Sequence, residues 1–540
     1  MNLFTDSPLR WADAAVLLGY CALIVFSGIL FARREAKTTG EYFLAGRRMP
    51  MWAVAVSIIA TSLSAATFIG APEQSYKGDL TYLSTNIGGI IAVIIVAIFF
   101  IPAFYKHNCT TIYELLERRF GPGAKYAASA AFMIGRVFAS GARIFIGAIP
   151  FAMILFGPTK AAEPQYLIVC IGLMCAVGVV YTLVGGIASV IWTDVIQTIV
   201  LVTAVIAAII VLFVKINLPI GELWSYLSTA GPNGSSKLTV VTTGLKPFDP
   251  AAQFTLLTAI FGFALLNVAA YGTDHDMVQR MLTCKNAVQG SRSVLVSMAI
   301  GVPLVAMFLT VGLLLFVYYQ HTLPLRAWSE RPGAFPRAEP PPDSAQVFLN
   351  FILKDMPPGL AGLMLAGLFA AGIGSLISAI NAMAATAIKD FYTRLAPNRD
   401  ERHYLKASRI AVAGWGLILG AFAVLCVFWK ASSPNTTLIG LALSVMTFAY
   451  AGLLAVFLTA LFTNRGSTRS VIASLLTGFI TIALLQAPIW KLWTSALFGP
   501  TSSIATLELA FPWHMTIGTT IALIVCLLGN SRSPLPEGEG

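Results

Sequence analysis

Long apolar runs recur along the whole of this 540-residue chain and set what it can fold into. A helix of about 20 apolar residues crosses the hydrocarbon core of a bilayer. Thirteen runs of this kind are found, at 13–32, 51–73, 80–104, 127–156, 164–184, 188–214, 252–273, 293–318, 358–388, 407–428, 437–462, 469–487 and 511–528. A membrane-embedded backbone must satisfy its own hydrogen bonds. The runs therefore predict an all-α integral membrane protein with about thirteen transmembrane helices in a lipid bilayer.

The composition excludes several other classes of protein. Hydrophobic residues make up 57% of the chain and charged residues 11%, against roughly 45–50% and about 25% in globular proteins. The net charge of +11 comes from basic residues in short loops, so we expect no nucleic-acid partner. The seven Cys are scattered, mostly within apolar runs, and are predicted to be small core residues. An enzyme is not expected, because we find no metal-ligand spacing, nucleophile elbow or phosphate loop.

The basic residues predict how the chain is oriented. Lys and Arg are concentrated in alternate loops, which the positive-inside rule assigns to the cytoplasm. The first of these loops contains Arg33, Arg34, Lys37, Arg47 and Arg48. The pattern places the N-terminus outside and the C-terminus in the cytoplasm, in the plasma (inner) membrane. The run 13–32 is too long for a cleavable signal peptide and is predicted to be retained as the first span.

Two segments outside the spans have a recognisable character, and no stretch is long enough for a soluble domain. TIYELLERRFGPG (111–123) is predicted to contain a short amphipathic helix on the cytoplasmic side. RAWSERPGAFPRAEPPPD (326–343) is predicted to be an external loop with little regular structure, because it is rich in proline. The tail SPLPEGEG is expected to have no regular structure.

The second span carries polar and helix-breaking residues in its middle. IIATSLSAATFIGAPEQ (58–74) has four hydroxyls between 61 and 67, followed by Gly70 and Pro72. A broken helix frees backbone carbonyls and amides, which transporters use for ion and substrate sites near the bilayer midplane. The alternative is an ordinary helix in which small residues allow close packing.

A second interrupted span strengthens the interpretation of the first as a broken transporter helix. FGFALLNVAAYGTDHD (261–276) combines Gly262, Asn267 and Gly272 and lies five spans later. Broken helices at matching places in successive five-span units are typical of inverted-repeat transporters. We therefore expect one transmembrane domain over 1–540, composed of an extra N-terminal helix, two repeats and extra C-terminal helices, at 11–34, 50–215, 250–465 and 466–530.

Other polar residues within apolar spans are candidates for a site. Asp194 is a carboxylate inside a span, which is costly unless it faces a cavity or a partner. Ser375 and Ser378 lie three residues apart on one helix face, and either role, ligand or packing, is open. Arg136 and Arg143 are buried basic residues in the fourth span. A structural ion pair is favoured for Arg136, whereas Arg143 could bind an anionic substrate or be paired.

Four stretches, in this order and spacing, resemble the characteristic regions of the sodium:solute symporter family. They are ARREAKTTGEYFLAGRRMPMWAVAVSIIATSLSAATFIG (32–70), GGIASVIWTDVIQ (185–197), YGTDHDMVQRMLTCKNA (271–287) and AAGIGSLISAINAMAATAIKDFY (370–392). The resemblance covers about 11–465. It implies a LeuT-type fold of two inverted five-helix repeats, with one extra helix before them and two after. It also implies sodium-driven uptake of a small organic solute by alternating access.

The resemblance also implies a set of site residues. The main sodium site would use oxygens of Ala60, Leu63, Ala371 and Ser375, with Gly374 standing where many members have a serine ligand. In a second sodium site that some members have, the carboxylate would be Asp194 and the hydroxyl Ser378, but its other hydroxyl positions are missing here. We therefore expect one coupled sodium ion. Substrate positions carried over from sugar and sialic acid transporters are Ser62, Ser64, Thr67, Asn86 and Asn267.

The nature of the solute and of the coupling ion is less constrained. The hydroxyl cluster beside Arg143 favours a carboxylate-bearing solute, because an arginine matches a carboxylate geometrically. A sugar acid, a monocarboxylate or a sugar is therefore expected. A proton-coupled or ion-independent carrier on the same fold is an alternative, as is a membrane sensor. The sequence leaves the oligomeric state open.

Overall fold

The computed structural model describes residues 9–32, 38–157, 160–231, 234–245, 248–319, 346–431, 438–499 and 501–530. In these ranges every regular element is a helix. The proline-rich segment 326–343 and the C-terminal tail, for which little regular structure was predicted, lie outside the described residues.

Each of the apolar runs coincides with a helix or with a pair of helices. In chain order they are α1 (Trp11–Ala32), α2 (Met51–Ser62), α3 (Ala65–Lys77), α4 (Thr81–Lys106), α5 (Pro122–Phe156), α6 (Pro164–Leu183), α7 (Gly186–Ile216), α8 (Thr258–Gly272), α9 (His275–Met281), α10 (Ala287–Tyr319), α11 (Leu360–Leu395), α12 (Glu401–Ala431), α13 (Leu438–Phe462), α14 (Thr468–Leu484) and α15 (Phe511–Leu527). Within the described ranges, eight helices are long and apolar enough to span a membrane, or up to ten if each of two bent pairs is one span. Three shorter apolar helices accompany them.

The second apolar run is broken between α2 and α3, although not where the strongest helix breakers stand. Leu63 and Ser64 have extended backbones, with ψ of 115° and 175°. Gly70 and Pro72 instead lie inside α3, so their expected part in the break was wrong. A proline inside a membrane helix is tolerated where neighbouring groups pack against the disturbed backbone. Here α10 packs closely against α3, since a Cβ on Gly312 would lie 2.1 Å from the carbonyl oxygen of Pro72.

The second interrupted span is broken at Thr273 and Asp274, between α8 and α9. Gly272 is the last residue of α8, and the Asp274 side chain caps α9 by accepting a hydrogen bond from the Asp276 amide. Gly262 and Asn267 lie within α8 and do not interrupt it. The break therefore lies at the end of the predicted segment, where an aspartate can begin a new helix.

Gly186 separates α6 from α7 without an intervening loop. Its backbone has a positive φ of 58°, which a residue without a Cβ adopts readily. A Cβ there would also lie 2.8 Å from the carbonyl oxygen of Tyr42. The close approach lets the short helix Thr39–Leu44 pack against this corner.

The basic loops predicted to share one membrane face meet in the fold. Arg47 bonds to Asn108, and Arg394 pairs with Glu117 at 2.7 Å. Glu117 belongs to the helix Glu114–Phe120, the amphipathic helix predicted for 111–123. The cysteines are free, and six are buried as predicted, whereas Cys21 on α1 is exposed.

One feature of the C-terminal part was not predicted. The chain bends by 81° after α14 into a further helix, Ala487–Phe498. The apolar run 469–487 therefore ends in a sharp bend. A hydropathy pattern reports the apolar length of a segment but not its direction.

Candidate functional site

A central cavity lies beside the break between α2 and α3, where α8 and α5 face it. Its volume is about 160 Å³. All six residues predicted to contact a substrate line this cavity, from four separate parts of the chain: Ser62, Ser64, Thr67, Asn86, Arg143 and Asn267. Tyr82, Tyr271 and Met446 line it as well, so its wall combines polar groups with aromatic and thioether surface.

The polar side chains of the cavity are held by local backbone contacts. The amide nitrogen of Asn86 donates to Leu83 O at 3.0 Å, and that of Asn267 donates to Phe263 O at 2.8 Å. Each contact uses the nitrogen and leaves the side-chain oxygen as an acceptor. The Ser62 hydroxyl donates to Ile59 O at 2.9 Å and also interacts with the Tyr271 hydroxyl, which leaves at least one lone pair to accept a hydrogen bond. These groups can accept hydrogen bonds from the hydroxyls of a bound solute.

Arg143 brings a positive charge into this cavity. Its side chain is buried, and its guanidinium contacts the Met446 sulfur at 3.4 Å. Among the described residues, no carboxylate lies within 4 Å of it. A buried charge is normally paired, because desolvating it is costly. Asp274 attracts the Arg143 guanidinium only from beyond this distance. Because no carboxylate contacts it, Arg143 is suited to bind an anionic group, which a guanidinium can contact with two parallel hydrogen bonds.

A second, much smaller cavity lies between α2, α7 and α11. Its volume is about 10 Å³, enough for roughly one water-sized particle. Three of the residues predicted to bind sodium, Ala60, Leu63 and Ala371, line it. Gln197 and Thr198 of α7 line it too, and sequence analysis did not single out either of them.

The break in the second span frees carbonyl oxygens near this small cavity. The Leu63 amide donates back to Ile59 O, and the amides of Thr67 and Phe68 both donate to Ser64 O. The usual α-helical donors to the carbonyls of Ala60 and Leu63 are thereby diverted or lost. An oxygen without a helical donor can coordinate a cation.

Ser375 is the fourth residue predicted for the main ion site. It is buried on α11, one turn beyond Ala371, and its hydroxyl donates to Gly372 O at 3.0 Å. That bond uses the proton and leaves the oxygen free to accept. Ser375 does not belong to the lining of the small cavity.

Asp194 and Ser378, the residues assigned to a second ion site, lie in a buried ionic network. Asp194 accepts a 2.5 Å hydrogen bond from the Ser57 hydroxyl and pairs with Arg280 at 3.3 Å. Ser378 donates to Asp276. The Asp194 carboxylate therefore already has a cationic partner, the guanidinium of Arg280.

The same network connects six helices: α2, α5, α7, α9, α11 and α13. Arg280 pairs with Asp276 at 2.9 Å, and Asp276 also pairs with Arg136. Arg136 lies 3.4 Å from Asp274, which in turn accepts a hydrogen bond from Tyr450. The structural ion pair favoured for Arg136 is therefore present. Sequence analysis missed the role of Asp276 and Arg280, although their spacing of four residues places them on one helix face.

The chain matches a family model, and it is similar in sequence and in structure to individual known proteins. The model of the sodium:solute symporter family matches residues 42–478. The chain is 28% identical over 479 residues to the sodium/sialic acid symporter SiaT of Proteus mirabilis, covering 87% of this chain and 88% of that protein. It is also 28% identical over 532 residues to the sodium/sialic acid symporter NanT of Aliivibrio fischeri, covering 96% and 92%.

The fold is similar to that of a solved structure. That structure is a substrate-bound outward-open state of a sodium-coupled sialic acid symporter. The TM-score is 0.75 at 26% sequence identity, and the match covers 96% of this chain and 97% of the other. The similarity confirms the all-α LeuT-type fold expected from the sequence.

Proposed function

Because the chain belongs to the sodium:solute symporter family, we propose that its central cavity binds a small hydroxylated carboxylic acid and its small cavity a sodium ion. The protein is a secondary active transporter that couples inward sodium flow to the uptake of a small organic solute by alternating access. No covalent bond is made or broken in this cycle. The residues have to bind the two substrates together and release them together.

The ion is bound by oxygens alone in this proposal. Ala60 and Leu63 contribute the carbonyls released at the helix break, and Ala371 and Ser375 contribute oxygens from α11. Sodium is a hard cation that suits carbonyl and hydroxyl ligands. The small cavity supports this assignment, because its size matches one small ion and three of the four residues line it.

Arg143 is the observation that favours an acid over a neutral solute. A neutral sugar would leave its buried guanidinium without a carboxylate in contact, with only the more distant attraction of Asp274, whereas a bound carboxylate would pair with it directly. Ser62, Asn86 and Asn267 retain acceptor atoms that would bind hydroxyls elsewhere on the solute. A solute with one carboxylate and several hydroxyls uses both kinds of group.

The size of the cavity and the known relatives narrow this class. The cavity volume of about 160 Å³ is many times the space that one water molecule needs, so the cavity accommodates a small organic solute. Two similar transporters carry sialic acid, which is itself a hydroxylated carboxylate. A six-carbon sugar acid such as glucuronate is a smaller member of the same chemical class and serves as the first probe.

Binding can be tested before the natural solute is identified. The apparent melting temperature of the purified protein is measured against sodium chloride, with choline chloride holding the ionic strength constant. A ligand that binds only the folded protein raises this temperature in a saturable way. In sodium, we expect glucuronate and related acids to add a further rise, and glucose to add none.

Variants of Arg143 make the test specific. Arg143→Met should abolish the effect of the acid and retain the effect of sodium alone. Arg143→Lys keeps the charge but loses the two-pronged geometry, so we expect an intermediate loss. If Arg143→Met responds to glucuronate as the wild type does, or if glucose stabilises the wild type as well as glucuronate does, the proposed solute class is wrong.

One coupled sodium ion is proposed rather than two. Arg280 lies against Asp194, and Asp276 accepts a hydrogen bond from the Ser378 hydroxyl. A guanidinium at this position competes with a second cation, because like charges repel at short range in a buried site. In sodium titrations, we therefore expect a single saturable transition with a Hill coefficient near one.

The membrane and orientation are also proposed. We place the protein in the plasma (inner) membrane with the N-terminus outside and the C-terminus in the cytoplasm. The clustering of Arg47, Lys389 and Arg394 at one face supports this, since cytoplasmic loops are rich in basic residues. Protease cleavage of terminal tags in intact cells tests it: only the N-terminal tag should be accessible.

A further inference from the structure

The side chain of Gln197 occupies the space that a side chain at position 374 would need. A Cβ on Gly374 would lie 2.5 Å from Gln197 Oε1, which is closer than real Cβ contacts allow. The family resemblance implies a serine ligand for sodium at position 374 in many members, whereas this chain has a glycine there. An amide oxygen therefore stands beside the place from which a serine hydroxyl would extend.

Gln197 also belongs to the wall of the small cavity. It lines the same space of about 10 Å³ as Ala60, Leu63 and Ala371. The side chain is only 4% exposed, so its carboxamide is held inside the protein. A buried amide is costly unless its polar atoms have partners. Tyr20 of α1 interacts with this side chain through its hydroxyl.

We propose that the carboxamide oxygen of Gln197 is a sodium ligand and replaces the hydroxyl that Gly374 cannot provide. The inference rests on the proposed sodium site and adds a fifth oxygen to it. A carboxamide oxygen is a neutral, hard ligand of the same kind as a backbone carbonyl. The exchange therefore preserves both the charge of the site and the chemistry of its ligands.

The replacement changes which helices the ion holds together. A serine at 374 would keep the side-chain ligands on α11, whereas Gln197 extends from α7. Sodium would then be coordinated from α2, α7 and α11 at once. The next residue, Thr198, bonds through its hydroxyl to Asp194 O at 2.7 Å, which steadies this turn of α7.

The first test removes the oxygen and keeps the volume. Gln197→Met has a side chain of similar length whose thioether is a poor sodium ligand. We expect the sodium concentration at half-maximal thermal stabilisation to rise at least about tenfold, as for the loss of one bond to a charged group. Gln279→Met is the matched control. Its amide donates to Phe43 O and is buried elsewhere, so this variant should keep the wild-type sodium midpoint.

The second test restores the serine ligand. In Gln197→Ala the space beside position 374 becomes free, and sodium binding should weaken as in Gln197→Met. Adding Gly374→Ser in that background introduces a hydroxyl where the amide oxygen was. We expect the double variant Gln197→Ala/Gly374→Ser to recover most of the lost sodium affinity. A purely structural role of Gln197 would not produce this recovery.

The outcomes separate this inference from the proposed function. If the wild type shows no sodium-specific rise in melting temperature, the sodium site itself fails. If the wild type responds and Gln197→Met has the same sodium midpoint, the site stands and Gln197 is not a ligand. If both Gln197 variants lose affinity and the added Gly374→Ser recovers none of it, the replacement of one ligand by the other is refuted.

Discussion

Replacing Arg280 by methionine would leave a buried carboxylate without its cation. Asp194 is 2% exposed and has the Ser57 hydroxyl as its other hydrogen-bond partner besides Arg280. The second carboxylate that contacts Arg280, Asp276, is affected less, because it would still be paired with Arg136. The loss should therefore be concentrated on Asp194.

The expected magnitude follows from this geometry. Removing one partner of a buried ion pair typically costs about 3–5 kcal/mol. With about 2 °C per kcal/mol for a large chain, the apparent melting temperature of Arg280→Met should fall by roughly 6–10 °C. Asp194→Asn should cost less, about 1–2 kcal/mol, because Arg280 keeps its 2.9 Å contact with Asp276.

A double variant tests the pairing directly. Adding Asp194→Asn to Arg280→Met removes the orphaned charge, so the double variant should be more stable than Arg280→Met alone. The measurement is thermal unfolding of detergent-purified protein in choline chloride, where sodium cannot compensate the carboxylate. If the decreases in stability of the two single variants add in the double variant, or if Arg280→Met unfolds at the wild-type temperature, Arg280 does not stabilise the buried Asp194 carboxylate.

Three further variants probe the ion site, the helix packing and the buried Lys237 at the end of α3. Ser375→Ala should lose sodium-dependent uptake and raise the sodium midpoint at least about tenfold; an unchanged midpoint would remove Ser375 from the site. Gly88→Ala should destabilise the protein by about 1–3 kcal/mol, because its Cβ would lie 2.2 Å from the carbonyl oxygen of Ala259, whereas Gly172→Ala, with nothing within 4 Å, should be tolerated; equal melting temperatures would contradict the close packing. Lys237→Met should cost about 1.5–3 kcal/mol in thermal unfolding, because the buried ammonium binds a carbonyl at the end of α3 at 3.1 Å; no loss would mean that this cap is dispensable.

The apolar length of each span could be predicted from the sequence, but the position of each break could not. Four hydroxyls, Gly70 and Pro72 indicated that the second span is unusual. The break falls at Leu63 and Ser64, although leucine has a high helix propensity. Tertiary packing decides such cases, since α10 supports the helix around Pro72.

Some residues of the candidate sites could likewise be predicted from the sequence, and others could not. Five substrate residues could be named from the family resemblance and Arg143 from its place in an apolar span, and all six meet at one cavity because the fold brings their four segments together. The partners of Asp194 could not be named, because Arg280 lies 86 residues away and only the fold pairs them. Gln197 was missed for a related reason. Its side-chain oxygen occupies the space beside Gly374, and only the three-dimensional fold shows this proximity.

The most direct test of sodium-coupled uptake is accumulation of the solute against its own gradient. Protein is reconstituted in liposomes, and uptake of radiolabelled glucuronate, or of whichever acid stabilises the protein best, is followed after an inward sodium gradient is imposed. Uptake is measured with and without a protonophore, and choline replaces sodium in the control. We expect accumulation that requires sodium, saturates with it and is lost in Ser375→Ala. Accumulation that ignores sodium and disappears with the protonophore would contradict sodium coupling.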